Sequence, residues 1–130
     1  MKRILFVFGL TLLAVNIMSA QQKEASIAVI DSAVYDFGEI NEKDGPVTHT
    51  FKIKNGGEIA LVVTKVVASC GCTSPEWTKE PIAPGKTGEI KVTYDPANRA
   101  TGPFTKTVSV YSNGKTGSFI LTIKGIAISK

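Results

Sequence analysis

The sequence predicts an all-β domain, an immunoglobulin-like β-sandwich of seven to eight strands, and three observations predict it. From Ser26 onward, short runs rich in Val, Ile, Thr, Phe and Tyr alternate apolar and polar residues with period two. Clusters of Gly, Pro, Asn and Asp separate these runs. No stretch beyond the first twenty residues carries a helical stripe. Seven or eight such strands in about 100 residues describe a sandwich or a barrel.

The strands are expected near residues 27–30, 34–37, 47–53, 60–67, 89–94, 105–112 and 117–128, with a weaker one around 74–78. Alternation assigns their faces, because only one side of an antiparallel sheet faces the core. Val47, Phe51 and Ile53 point inward, as do Ile90, Val92 and Tyr94, Val108 and Val110, and Phe119, Leu121 and Ile123. Three turns join strands: Asn55-Gly56-Gly57-Glu58, Pro84-Gly85-Lys86-Thr87-Gly88 and Asn113-Gly114-Lys115. Their residues tolerate positive φ or preset it near −65°. Asn113-Gly114, set between alternating runs, is the strongest hairpin signal.

The first twenty residues read differently. Lys2-Arg3, an apolar run from Ile4 to Val15 and the small pair Ser19-Ala20 have the three-part layout of a secretory signal peptide. The run is shorter than the roughly 20 residues that a transmembrane helix needs, so residues 1–20 are expected to be cleaved and 21–130 to form one domain. Cleavage is expected after Ala20. No cysteine follows the run, so no lipid anchor is expected, and the mature chain is expected in the periplasm or outside the cell, without a transmembrane span.

Without Lys2 and Arg3, the 15 basic residues fall to 13 against 11 acidic ones, a net charge near +2. The remaining lysines and Arg99 are scattered singly, which argues against a phosphate-binding patch and hence against nucleic acid. Nucleophile-elbow, zinc-protease and phosphate-loop motifs are missing, as is a CxxC pair beside a βαβ unit. With His49 as the single histidine, a hydrolase is not expected.

One motif hints at chemistry. Cys70 and Cys72 are the only cysteines and stand one residue apart in Cys70-Gly71-Cys72-Thr73. A disulfide between them closes a three-residue loop worth about 1.6 kcal/mol in loop entropy, against about 3 kcal/mol for a 15-residue loop. It is a poor staple, of the kind that is readily reduced. Three uses remain open: a conformational oxidised pair, thiol–disulfide exchange, or a soft metal such as Cu(I) or Zn(II) shared by two thiolates, with Gly71 letting the backbone bring them together. Two ligands are too few for a structural zinc site. Chain direction brings His49, at the start of its strand, toward the same end as Cys70 and Cys72, so it is a candidate third ligand. The 95–103 loop with Asn98 and Arg99 is expected at that end too, and Trp77 as a lid over it, together an interaction surface.

The runs Tyr35-Asp36-Phe37-Gly38-Glu39-Ile40, His49 to Gly57, Ser69-Cys70-Gly71-Cys72-Thr73, and Ile82-Ala83-Pro84-Gly85 leading to Tyr94-Asp95 together resemble the bacterial domain-of-unknown-function 1573 family. The resemblance spans Val34 to about Ile126. It implies an immunoglobulin-like fold related to PapD-like and ASH domains, usually exported, with no established activity and with Cys70 and Cys72 part of the family pattern. The function expected from all of this is a binding or assembly module of the cell envelope with a protein partner there, working through sheet edges and end loops. Metal binding or thiol–disulfide exchange by the cysteine pair is the alternative.

Overall fold

Each alternating run becomes a strand because the ladder satisfies its backbone while one face in two buries the apolar side chains. The computed structural model describes residues 24–29 and 32–129, so the expected signal peptide over residues 1–20 and its expected cleavage point lie outside the described residues. Eight strands follow in order: β1 (Ile27–Val29), β2 (Val34–Asn41), β3 (Val47–Asn55), β4 (Val63–Ala68), β5 (Thr73–Trp77), β6 (Thr87–Tyr94), β7 (Gly102–Ser112) and β8 (Ser118–Ile128). They form two four-stranded sheets, ordered β1-β3-β6-β5 and β2-β8-β7-β4. All pairs are antiparallel except β2 with β8.

The core sits between the sheets and holds the rows that alternation points inward. Phe51, Ile53, Ile90, Val92 and Tyr94 come from one sheet, and Val108, Val110, Leu121 and Ile123 from the other, all buried. Tyr94 and Phe104 stack across the gap, centroids 4.1 Å apart and planes 12° from parallel. Room for the Phe104 ring comes from Gly125 opposite it in the ladder. A Cβ at Gly125 would stand 2.8 Å from Phe104 Cζ and 2.9 Å from the Gly38 carbonyl oxygen.

Several elements differ from expectation, each for a local reason. The strand expected from residue 60 starts at Val63, because the Asn113 side chain takes the backbone ahead of it: Nδ2 donates to the Ala60 carbonyl (3.0 Å) and Oδ1 accepts from the Val62 amide (2.8 Å). Asn113 therefore cross-links two loops instead of making a two-residue hairpin. The β7–β8 connection runs over residues 113–117, with the positive φ at Gly117 (+74°). Strand β2 runs on to Asn41 through a bulge between Asp36 and Glu39. There Asp36 Oδ1 accepts from the Gly38 amide (2.8 Å) and Gly38 takes φ +69°, so the Asp-Phe-Gly stretch is a bulge device.

Asn55 is the largest departure. The sequence places it in a surface turn, yet it is fully buried. Its Nδ2 donates to the carbonyls of Ile59 (2.7 Å) and Ile82 (2.9 Å), and its Oδ1 accepts from the amides of Gly57 (2.9 Å) and Ser26 (3.4 Å). Its backbone bonds both Lys86 and Gly85. Its side chain thus ties the start of β1, the β3–β4 loop and Ile82 together, while its backbone holds the Pro84-Gly85 turn.

All four edge strands carry features that disfavour addition of a further strand. Strand β1 is three residues long and β2 is bulged; β4 shifts register between Val63 and Lys65. On either side of β5, the Cys72 carbonyl accepts from the Asp95 amide just past β6 and the Thr78 amide donates to Glu89 within it. Odd residues of β5 therefore face the open edge, and Pro75 has no N–H to offer there.

Candidate functional site

Strand β4 ends in one sheet and β5 begins in the other, so residues 69–72 form the corner where the chain changes sheets. Backbone bonds fix this corner. The Ser69 amide donates to the Thr107 carbonyl (2.9 Å), the Thr73 amide closes a turn on the Cys70 carbonyl (3.1 Å), and the Asp95 amide donates to the Cys72 carbonyl (2.9 Å). Ser69 Oγ also accepts from the Thr107 amide (3.1 Å).

Cys70 and Cys72 are joined as a disulfide. Their environments are unequal. Cys72 is 6% exposed and Thr73 beside it 4%, whereas Cys70 is half-buried at the margin of the core. The Cys72 amide donates to Cys70 Sγ (3.2 Å), and Thr73 Oγ1 lies 3.7 Å from Cys72 Sγ. Since a disulfide sulfur has no hydrogen, the Thr73 hydroxyl is the donor. Gly71 is exposed, its φ is not in the left-handed region, and a Cβ there would meet nothing within 4 Å. The conformational freedom that the sequence reading assigned to Gly71 is therefore not used; what the glycine leaves is open space beside the bridge.

Other expected site residues divide between this pole and elsewhere. The 95–101 loop does share the pole, with Asn98 and Arg99 exposed. Asn98 adopts φ +59°, a conformation asparagine tolerates better than most residues, and the Asp95 carboxylate caps the Ala97 amide (3.0 Å). Burial pushes the Tyr94 hydroxyl above its ordinary pKa, with the Arg99 charge pulling it down and Asp95 pushing it up. Trp77 is not at this pole. Strand β5 runs away from the corner and carries Trp77 opposite Ile90, about 13 Å along the strand from Thr73, where Lys79 Nζ sits 3.2 Å from its ring centroid.

His49 is drawn into an aromatic cluster instead of toward the sulfurs. Its ring stacks on Tyr35 at 3.6 Å and meets Phe51 edge-on at 4.6 Å, while Tyr35 also meets Phe37 edge-on. Strand β6 stands between its strand and β5. Among the described residues, no three His, Cys, Asp or Glu side chains come together as a metal-holding group, so His49 does not join Cys70 and Cys72.

A second feature lies on the outside of the sandwich, where the sequence reading assigned no role. The outer face of the β1-β3-β6-β5 sheet is polar, with Lys52 opposite Glu89, Thr50 opposite Lys91 and Thr48 bonded to Thr93 (3.0 Å). The outer face of the other sheet has an apolar and hydroxyl-bearing centre with charges around it, Lys65 opposite Tyr111, Asp36 opposite Lys124 and Glu39 opposite Ile126. Val67, Ser109 and Ile120 form one row across it, Val34, Thr122 and Thr107 the next, and Tyr111 and Ile126 lie toward its ends. Val34, Val67, Tyr111, Ile120 and Ile126 are all exposed, Ile120 to 58%. Single exposed apolar residues could have been read from the alternation, but their assembly into one patch depends on the β2–β8 and β4–β7 pairings, which no local signal carries.

Two four-stranded sheets, one parallel edge pair and a sheet-changing corner define an immunoglobulin-like sandwich of the PapD-like kind. The solved PapD-like domain 7 of human CEP192, an ASH domain, is similar over 83% of this chain and 87% of its own, at 8% identity and a TM-score of 0.62. A Porphyromonas gingivalis W83 protein of unknown function is similar over 85% of this chain and 51% of its own, at 14% identity and a TM-score of 0.69. The VesB protease of Vibrio cholerae matches over 80% of this chain and 31% of its own, at 19% identity and a TM-score of 0.57. The chain thus spans about half or less of the length of these two bacterial structures. No curated protein matches it in sequence. The chain belongs to the family described as Protein of unknown function (DUF1573), whose model matches residues 28–127.

Proposed function

We propose that this chain is an exported binding module of the cell envelope, and that it docks a protein partner on the outer face of the β2-β8-β7-β4 sheet. The observation that carries the reading is the exposed apolar cluster of Val34, Val67 and Ile120 at the centre of that face, rimmed by Lys65, Asp36 and Lys124. Contiguous exposed apolar surface on one side of a small domain marks an interaction site.

Size fits the proposal. Eight residue steps along β7 and four strands across give a face of about 26 Å by 19 Å, roughly 500 Å², the share of one partner in a weak or transient complex. The blunted edges argue for face docking over strand addition. In the Porphyromonas gingivalis protein, a similar fold occupies only part of a longer chain, as expected of a module. Among the described residues no helix is long and apolar enough to cross a membrane, and the leader-like residues 1–20 support export.

Photo-crosslinking in the native envelope tests it. A crosslinker at Ile120 is expected to give a discrete adduct, and one at Thr50, on the polar face, to give none. If Ile120 yields no more adduct than Thr50, the sheet face is not the docking surface and the reading fails.

A further inference from the structure

We propose that the Cys70–Cys72 bridge is a polarised acceptor for thiols, in which an incoming thiolate attacks Cys70 Sγ and Cys72 leaves. This rests on the corner and not on the sheet face, so it stands or falls independently of the docking reading.

The burial difference and the Thr73 hydroxyl set the polarity. Cys72 is buried beneath Thr73 whereas Cys70 is half-buried, and Gly71 puts no side chain beside it. An external thiolate therefore reaches Cys70 and not Cys72. The Thr73 hydroxyl, 3.7 Å from Cys72 Sγ, is placed to receive the charge that develops on the departing sulfur. The Cys72 amide, 3.2 Å from Cys70 Sγ, is placed to hold the charge on Cys70 when that sulfur is released in its turn. The corner itself is held by the backbone bonds to Thr107 and Asp95, so opening the bridge leaves the sheets joined.

The step balances as follows. A thiolate RS⁻ forms a bond to Cys70 Sγ while the Cys70–Cys72 bond breaks, its electron pair going to Cys72, which takes a proton from water. With a dithiol partner, its second thiolate attacks the partner's own sulfur in the mixed disulfide, and the electron pair of the broken bond leaves with Cys70 as a thiolate. The partner is oxidised to a disulfide and this chain is reduced by two electrons.

The test treats the oxidised mature protein with N-acetylcysteine as a small thiol and, in a second arm, with a reduced unfolded peptide bearing two cysteines. Acid quenching, alkylation and peptide mapping follow. Adduct on Cys70 with alkylation on Cys72 is expected, in at least tenfold excess over the reverse. The small thiol reacting alone points to a low-molecular-weight substrate, whereas reaction with the peptide as well points to protein thiols. Thr73→Val is expected to slow exchange several-fold without changing the thermal midpoint, and Thr73→Ser to restore it. Equal labelling of both sulfurs, a rate no faster than that of oxidised glutathione, or loss of the cooperative thermal transition on reduction would overturn the proposal.

Discussion

Replacing Asn55 by alanine removes the side chain that joins the β1 start, the β3–β4 loop and Ile82, and leaves its backbone bonds to the Pro84-Gly85 turn in place. Three of its hydrogen bonds are 2.9 Å or shorter and the fourth, to Ser26, is 3.4 Å. The Ile82 carbonyl keeps a second donor in the Leu61 amide at 2.8 Å, so it is not orphaned by the change. Ile59 is exposed and Gly57 partly so, and water can reach both. The loss is then close to three net hydrogen bonds at about 1 kcal/mol each, about 3 kcal/mol in all. For a domain of this size that lowers the thermal midpoint by about 12 °C, taking about 4 °C per kcal/mol. Thermal unfolding followed by tryptophan fluorescence measures it, and an unchanged slope in urea shows that the transition stays two-state.

Asn55→Asp sharpens the test. A carboxylate there turns acceptors toward two carbonyl oxygens, so at neutral pH it is expected to cost more than alanine. Burial and those carbonyls raise the folded-state pKa of the introduced acid. Its contribution is then least unfavourable below the unfolded value of about 3.9 and worsens as pH rises through the window above it. If Asn55→Ala shifts the midpoint by less than about 3 °C, or Asn55→Asp shows no such acid recovery, the side-chain knot does not hold these loops.

Gly125→Ala is expected to cost about 1–3 kcal/mol by overpacking against the Phe104 ring and the Gly38 backbone, read as a lower urea midpoint. Gly71→Ala, whose Cβ meets open space, is expected to leave stability within about 0.5 kcal/mol of wild type and the disulfide intact by mass. Above about pH 10, the unfolded chain releases a tyrosine proton that folded Tyr94 keeps, so stability falls as pH rises. Tyr94→Phe is expected to flatten that fall in urea midpoints measured on either side of pH 10. Titrating the reduced protein with Cu(I) against a competing chelator is expected to give the same affinity in His49→Ala as in wild type, since His49 stacks on Tyr35. A weaker affinity would bring His49 back as a ligand.

The sequence carried the strands further than the site. Phe51, Ile90 and Leu121 announce their inward rows because period-two burial is a local property, and each is buried where alternation places it. Asn55 was read as a turn residue because an Asn-Gly-Gly stretch has the same local signature at the surface and in a buried knot. Its partners at Ser26 and Ile82 are 29 and 27 residues away. Trp77 is hard to place from the sequence for a related reason: a corner fixes where β5 begins, but its direction follows from pairing with β6. The inequality of the two sulfurs was likewise invisible, since it arises from what Thr73 and Asp95 bring to the corner after folding.

The described chain begins at one pole and carries its disulfide at the other. Glu24 and Ala25 lie against Gly57, where the backbone approaches so closely that a Cβ would collide with the Glu24 carbonyl and the Ser26 amide. The Glu58 amide adds a bond to that same carbonyl (2.8 Å). Val47 and Thr73 flank Tyr94 at the far end, eight residue steps or about 26 Å along β3 from Asn55. The Glu24–Gly57 contact and the Cys70–Cys72 corner therefore stand at opposite ends of the sandwich, about 26 Å apart along β3, so a substitution at one leaves the contacts of the other untouched.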